Sequence, residues 1–197
     1  MDIAQLPDLT WTGVEGKAGE ADGVLTLTAA AGVDWTNAAL GGEPQQRATA
    51  LAFEAPDEFS LSARVRVDAP RSTFDAGALA IWADGDHWAK ICFEFSPQGQ
   101  PMVVSVVTAA GFSDDCNSVP VDDPHVFLRI SRIAGGWAFH SSRDGSSWDF
   151  VRVFRLDAPG PFRVGFLSQA PLGDRCVSRF DAIRLTSTPP TDLRDGS

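Results

Sequence analysis

An aromatic ring, an ammonium group and a carboxylate recur at even spacing in one apolar segment, at Trp88, Lys90 and Glu94. Alternate residues of an extended strand lie on one face, and the residues between them are apolar. An aromatic ring stacks on the CH face of a sugar, and polar groups beside it bond the hydroxyls. The spacing therefore predicts a binding face for a carbohydrate or a related small ligand.

We predict that further polar and aromatic residues share this ligand-binding face, and we predict no catalytic residue. Each candidate also has a structural interpretation: Trp88 would cover the end of a hairpin, and the arginines would be solvated strand residues. The predicted ligand-binding residues are Trp88, Lys90, Glu94, Asp75, Arg129, Trp82, Ser105 and Arg152.

Glycoside hydrolysis needs two carboxyl groups, and they lie about 5 Å apart in retaining enzymes. Jelly-roll glucanases place them at alternate positions of one strand, but here the positions flanking Glu94 hold Cys92 and Ser96. A partner from another strand, such as Asp34, Asp75 or Asp114, stays open. An unrecognised glycoside hydrolase is therefore the third hypothesis, after ligand binding and after a regulatory protein-interaction module.

No cofactor and no metal site are predicted. Acidic residues cluster at two places, 84–87 and 114–123, where Asp and Asn are favoured in turns for local reasons. Cys92, Cys116 and Cys176 are widely spaced and form no CxxC pair, so we predict free thiols. A catalytic cysteine paired with a histidine is the less favoured alternative.

The charge balance excludes some partners. The net charge of the 197-residue chain is −10, and no basic cluster is present to neutralise phosphates, so nucleic acid is not an expected partner. No apolar run approaches the ~18 residues of a membrane span. The N-terminal segment lacks the pattern of a secretion signal, so we expect a cytoplasmic protein with no membrane partner.

The elements that must position these residues are strands. About ten or eleven short segments alternate in hydropathy between Gly, Pro and Asp clusters, which predicts an all-β sandwich of antiparallel sheets. Asp-Gly pairs at 84–85 and 144–145 predict hairpin turns. We expect a single domain over residues 1–187, a polar loop over 111–124, and a frayed C-terminal tail over 188–197.

The order and spacing of several short blocks resemble the DUF1349 family over about residues 20–187. The matching blocks are Asp34-Trp35, residues 74–79, Trp88 to Ile91 with Glu94, residues 105–108, Ser113-Asp114, Leu128-Arg129 with Arg132, residues 142–148, Val164-Gly165 and Phe180-Asp181. The resemblance implies a concanavalin A-like lectin/glucanase jelly roll with one concave binding face. The family's yeast member is called regulation of enolase protein, which suggests the regulatory alternative. This chain departs from the family in having no Tyr.

Overall fold

Two large antiparallel β-sheets make up the computed structural model, which describes residues 6–37 and 39–197. The first five residues, on which part of the secretion-signal expectation rests, lie outside these ranges. The strands are β1 (Thr10–Trp11), β2 (Lys17–Ala21), β3 (Val24–Ala30), β4 (Trp35–Thr36), β5 (Gln45–Gln46), β6 (Thr49–Glu54), β7 (Phe59–Val67), β8 (Ala76–Asp84), β9 (His87–Phe95), β10 (Pro101–Ala109), β11 (Phe112–Pro120), β12 (His125–Ile133), β13 (Gly136–Ser142), β14 (Asp149–Phe154), β15 (Arg163–Gln169) and β16 (Arg175–Thr186).

The first sheet has the strand order β1-β6-β15-β8-β9-β10-β11, and the second has the order β14-β13-β12-β7-β16-β3-β2. A two-stranded ladder of β4 and β5 stands apart from both. This architecture confirms the predicted all-β sandwich of two antiparallel sheets. Within the described ranges, no helix has the length and hydropathy to cross a bilayer.

Alternation along each strand decides which side chains enter the core between the sheets. In β9, Ala89, Ile91 and Phe93 pack in this core, as the sequence predicts. The other residues of β9 lie on the outer face of the first sheet, where Trp88 and Cys92 join a second apolar cluster. The candidate binding residues of β9 are therefore carried by a strand whose opposite side is fully buried.

Two elements differ from the sequence prediction. Residues 112–120 form strand β11 at the edge of the first sheet, although the polar composition of this stretch predicts a loop. An edge strand is solvated on one side, so it needs little apolar character to pair with its neighbour. The predicted hairpin between β8 and β9 is present, but Gly85 does not take a positive φ, whereas Gly145 does, at 74°.

Candidate functional site

Three tryptophans meet on the outer face of the first sheet. Trp82 and Trp88 are opposite each other in the β8–β9 pair. Trp35 from β4 lies over both, with ring centroids 4.7 Å from Trp82 and 5.8 Å from Trp88. Alanines at 76, 78 and 80 of β8 give this cluster room. Trp88 is completely buried, so its indole packs under Trp35 and offers no face to a sugar.

Lys90 lies beside this cluster and is almost completely buried. Its Nζ donates hydrogen bonds to Asp34 Oδ1 at 2.9 Å, to the Trp35 carbonyl at 2.7 Å and to Gln169 Oε1 at 2.7 Å. An ammonium group has three donors, so all of them are used within the protein. Burial alone would lower the pKa of Lys90, but the Asp34 carboxylate outweighs it and the pKa is raised to about 12. Lys90 therefore anchors β4 to the sheet.

A cavity of about 530 Å³ opens next to this anchor. Its lining combines three carboxylates, two amides and a short apolar floor. The lining residues are Asp34, Trp35, Thr36, Phe74, Lys90, Glu94, Val104, Val106, Asp115, Asn117 and Gln169. Of the predicted binding residues, Lys90 and Glu94 line this cavity, and Trp82 and Trp88 support its aromatic side.

Glu94 is the carboxylate most enclosed by the cavity, with a relative exposure of 9%. Burial raises its pKa to about 7, and the Asp34 and Asp115 carboxylates act in the same direction against the attraction of Lys90. Among the residues that the structure describes, none forms a hydrogen bond with this carboxyl group. Asp115 is an exposed residue of the same cavity, and partial desolvation raises its pKa. The acceptors of Glu94 are free to meet a ligand.

Phe74 places an aromatic ring at the cavity while its backbone takes φ +68°, a region that costs a non-glycine residue energy. Two hydrogen bonds hold it there: its N–H donates to the Phe95 carbonyl at 2.7 Å, and its carbonyl accepts from Gln169 Nε2 at 3.0 Å. Gln169 thus joins Phe74 to Lys90. The ring is 37% exposed and can contact a ligand.

Two predicted binding residues lie away from the cavity because the strand pleat or the turn points them elsewhere. Ser105 pairs with Ile91 and faces the core between the sheets, where it is completely buried. Asp75 is 1% exposed and accepts a hydrogen bond from the Ser72 N–H at 2.8 Å, which closes the turn before β8. These placements correct the prediction for both residues.

Arg129 and Arg152 are also corrected, because both belong to the second sheet. Arg129 lies on β12 between core residues, so it points to the outer face of the second sheet, on the opposite side of the sandwich. Arg152 lies on β14, and its guanidinium contacts the Asp114 carboxylate at 2.9 Å. This ion pair joins an edge of one sheet to an edge of the other.

Sequence reasoning missed Phe74, Asp115, Asn117 and Gln169 as residues of the cavity. A signal existed for two of them: residues 113, 115 and 117 alternate, and in the β10–β11 register they share the face of Val106 and Val104. No sequence signal pointed to Phe74 or Gln169. Local spacing does not encode the positive φ of Phe74, and it does not encode the contact between the end of β15 and a distant turn.

Glu94 and Asp115 do not occupy neighbouring positions in the sheet. Asp115 pairs with Val106 and Val106 with Lys90, so Asp115 lies two strands across and four residues along from Glu94. With ~4.8 Å between strands and ~3.3 Å per residue, their Cα atoms are roughly 16 Å apart. In the described ranges, no group of three or more His, Cys, Asp or Glu side chains is placed to hold a metal ion.

Comparisons with known proteins agree with this architecture. Residues 11–188 match the family described as "Protein of unknown function (DUF1349)". A functionally unknown protein from Saccharomyces cerevisiae has a similar structure, with a TM-score of 0.83 and 23% identity over 95% of this chain and 99% of that one. No curated protein matches the sequence.

Two further solved structures share the fold at low identity. A GH43 protein from Bacillus licheniformis matches with a TM-score of 0.67 and 15% identity, over 84% of this chain but 33% of that one. A legume lectin-like domain from Entamoeba histolytica matches with a TM-score of 0.59 and 9% identity, over 88% of both chains. These similarities place the sandwich among lectin-like jelly rolls.

Proposed function

The chain belongs to the DUF1349 family of proteins of unknown function, and we propose that it binds an uncharged carbohydrate in the cavity on the outer face of its first sheet. The observation that carries the proposal is the carboxyl group of Glu94, which forms no hydrogen bond with any described residue and lies in a cavity that also presents the Phe74 ring. We propose binding without cleavage, because Lys90 engages the Asp34 carboxylate, and Asp115 lies two strands across and four residues along the sheet from Glu94.

Charge decides which ligands suit this cavity. Lys90 donates its three hydrogen bonds to Asp34, Trp35 and Gln169, so its ammonium group is not available to a ligand as a free cation. With a pKa of about 7, Glu94 is about half ionised at neutral pH, and together with Asp115 it makes the potential inside negative, so an anionic sugar would be repelled. Sugar hydroxyls, in contrast, donate well to carboxylate and amide oxygens, and bonds to charged acceptors are the stronger ones. A neutral polyhydroxyl ligand fits best.

Shape and apolar contact support the same ligand class. The Phe74 ring is exposed at the cavity, and aromatic rings stack on the CH faces of sugars. Its strained backbone is held by two hydrogen bonds, which is typical of residues fixed for contact with a ligand. Two proteins with this fold are described as lectin-like and as a member of glycoside hydrolase family 43, which is consistent with a sugar ligand.

The proposal is tested by applying the labelled protein to an array of neutral and acidic oligosaccharides. We expect binding to one or more neutral oligosaccharides, and weaker or no binding to their uronate or sulfated counterparts. Asp115→Asn should weaken the neutral complex because it removes a charged acceptor from the cavity. Binding restricted to acidic glycans, or no binding to any glycan, would contradict the proposal.

A further inference from the structure

The C-terminal segment, residues 190–197, lies against the outer face of the second sheet instead of fraying as the sequence predicts. Pro190 and Gly196 are buried, and the Gly196 N–H donates to the Asp192 carbonyl at 2.9 Å. This face is on the opposite side of the sandwich from the cavity. The segment is therefore a docked element with contacts of its own.

Two buried side chains of neighbouring strands hold the segment by its main chain. Arg129 and His140 are directly paired across β12 and β13. Arg129 Nη2 donates to the Gly196 carbonyl at 2.8 Å, and His140 Nε2 donates to the Leu193 carbonyl at 2.9 Å. Both hydrogen bonds go to main-chain carbonyls three residues apart. They therefore hold the segment by its backbone and not by its side chains.

Gly196 fits a notch that admits no side chain. Its φ is +75°, and a Cβ at this position would lie 2.6 Å from an Arg129 nitrogen and 2.6 Å from the Trp148 Cβ. Trp148 cannot yield easily there, because the blocking atom is next to its backbone and its ring packs under the Arg129 guanidinium at 4.3 Å. Beside the notch, Arg194 stacks on Phe150 at 4.5 Å.

We propose that Arg129, His140, Trp148 and Phe150 form a peptide-binding groove that accepts the C-terminal segment of a second copy of this chain when the chain's own segment leaves it. In the structure the groove is occupied by the chain's own segment. Every contact involves a main-chain carbonyl, the glycine notch or a stacked arginine, so none depends on which copy supplies the segment. Exchange of an identical element between copies is a low-cost route to a dimer.

The hinge of this exchange is the stretch from Ser187 to Pro189, which links β16 to the docked segment. Consecutive prolines at 189 and 190 favour an extended, semi-rigid spacer. Exchange requires this stretch to direct the segment away from its own sheet, onto which it folds in the structure. In one chain the covalent link still gives the segment a local concentration in the millimolar range, which favours self-occupancy.

The test uses two variants of the 197-residue chain with complementary defects. Gly196→Ala keeps the groove but loses the glycine that fits the notch, and Arg129→Ala keeps the segment but loses a donor of the groove. Mixed together, they can form one complete contact, between the Arg129→Ala segment and the Gly196→Ala groove. We expect a 1:1 complex by analytical ultracentrifugation in the mixture and monomers for each variant alone. A mixture that stays monomeric, with both variants folded by circular dichroism, would overturn the proposal.

A peptide of residues 188–197 provides the second measurement. In the wild type it must displace the tethered segment, so we expect at least tenfold tighter binding to Gly196→Ala than to the wild type, by fluorescence anisotropy of the labelled peptide. Gly23→Ala is the matched control, because Gly23 also has a positive φ, +72°, with nothing within 4 Å of a Cβ. It should bind the peptide as the wild type does. Equal affinity of Gly196→Ala and the wild type would contradict the groove.

Discussion

At the scale of single residues, Lys90 shows how a candidate ligand contact can instead be a structural anchor. Its type, position and strand face were all predicted from the sequence. What spacing could not reveal is that Asp34, the Trp35 carbonyl and Gln169 take up its three donors. The residue therefore shapes the cavity by fixing β4, and the free acceptors come from Glu94 and Asp115.

Removing the charge of Lys90 should cost stability, because it leaves the Asp34 carboxylate and the Gln169 amide without their partner. We expect Lys90→Met to lower the free energy of unfolding by about 3–5 kcal/mol in urea denaturation. Lys17→Met is the matched control, since Lys17 is the chain's other lysine and is exposed. This substitution should change stability by less than ~0.5 kcal/mol. A Lys90→Met protein as stable as the control would show that the anchor is dispensable.

Glu94 gives the protein a specific pH dependence. Its pKa is raised from 4.5 to about 7 in the folded protein, so between these values the folded chain keeps a proton that the unfolded chain has lost. The contribution of Glu94 to stability then falls as the pH rises through this window, by about 3 kcal/mol at most.

The difference between wild type and Glu94→Gln isolates this effect from His140. Burial lowers the pKa of His140, and that residue destabilises the folded state in the opposite direction, as the pH falls below its unfolded value of about 6.5. We expect the urea-derived free energy of wild type, relative to Glu94→Gln, to decrease from pH 4.5 to 7.5. A pH-independent difference would mean that Glu94 has the same pKa in the folded and the unfolded chain.

At the scale of elements, the close approach of two paired strands requires a glycine at one position. β15 passes β6 so closely that a Cβ on Gly165 would lie 2.0 Å from the Leu51 carbonyl oxygen and 2.6 Å from the Ala52 Cα. Both atoms are backbone, so the strands themselves would have to separate. This pair carries Gln169 at the end of β15, and through it the position of Phe74.

Gly165→Ala should therefore be severely destabilising, by more than about 3 kcal/mol, because the added methyl overpacks two paired strands. Gly19→Ala is a matched control in β2, where nothing lies within 4 Å of a Cβ. Thermal unfolding of both variants by circular dichroism checks the expectation. Similar melting temperatures for the two variants would contradict the close approach of β15 and β6.

Strand alternation made much of the fold predictable, and its limits explain the errors. The alternation around Trp88 fixed which side of β9 enters the core, and this was confirmed. It could not tell that Arg129 belongs to the other sheet, because a strand's pattern does not name its neighbours. It also did not predict the positive φ of Phe74, which is held by a hydrogen bond from its N–H to the Phe95 carbonyl and by one from the Gln169 amide to its carbonyl.

At the scale of the whole molecule, the sandwich separates two surfaces with different chemistry. The first sheet's cavity is rich in carboxylates, in keeping with the net charge of −10. The second sheet's outer face carries Arg129 and His140, and the C-terminal segment covers them. Because the core lies between the two faces, a ligand in the cavity and a peptide in the groove do not compete for space.

Isothermal titration measures whether the cavity holds a neutral sugar against Phe74. The titrant is the neutral oligosaccharide that binds best on the array, and the proteins are wild type, Phe74→Ala and Phe112→Ala. Phe112 is a matched control, because it is 65% exposed and does not line the cavity. We predict at least tenfold weaker binding for Phe74→Ala, about 1.4 kcal/mol, and unchanged binding for Phe112→Ala. Equal affinities of wild type and Phe74→Ala would contradict the account.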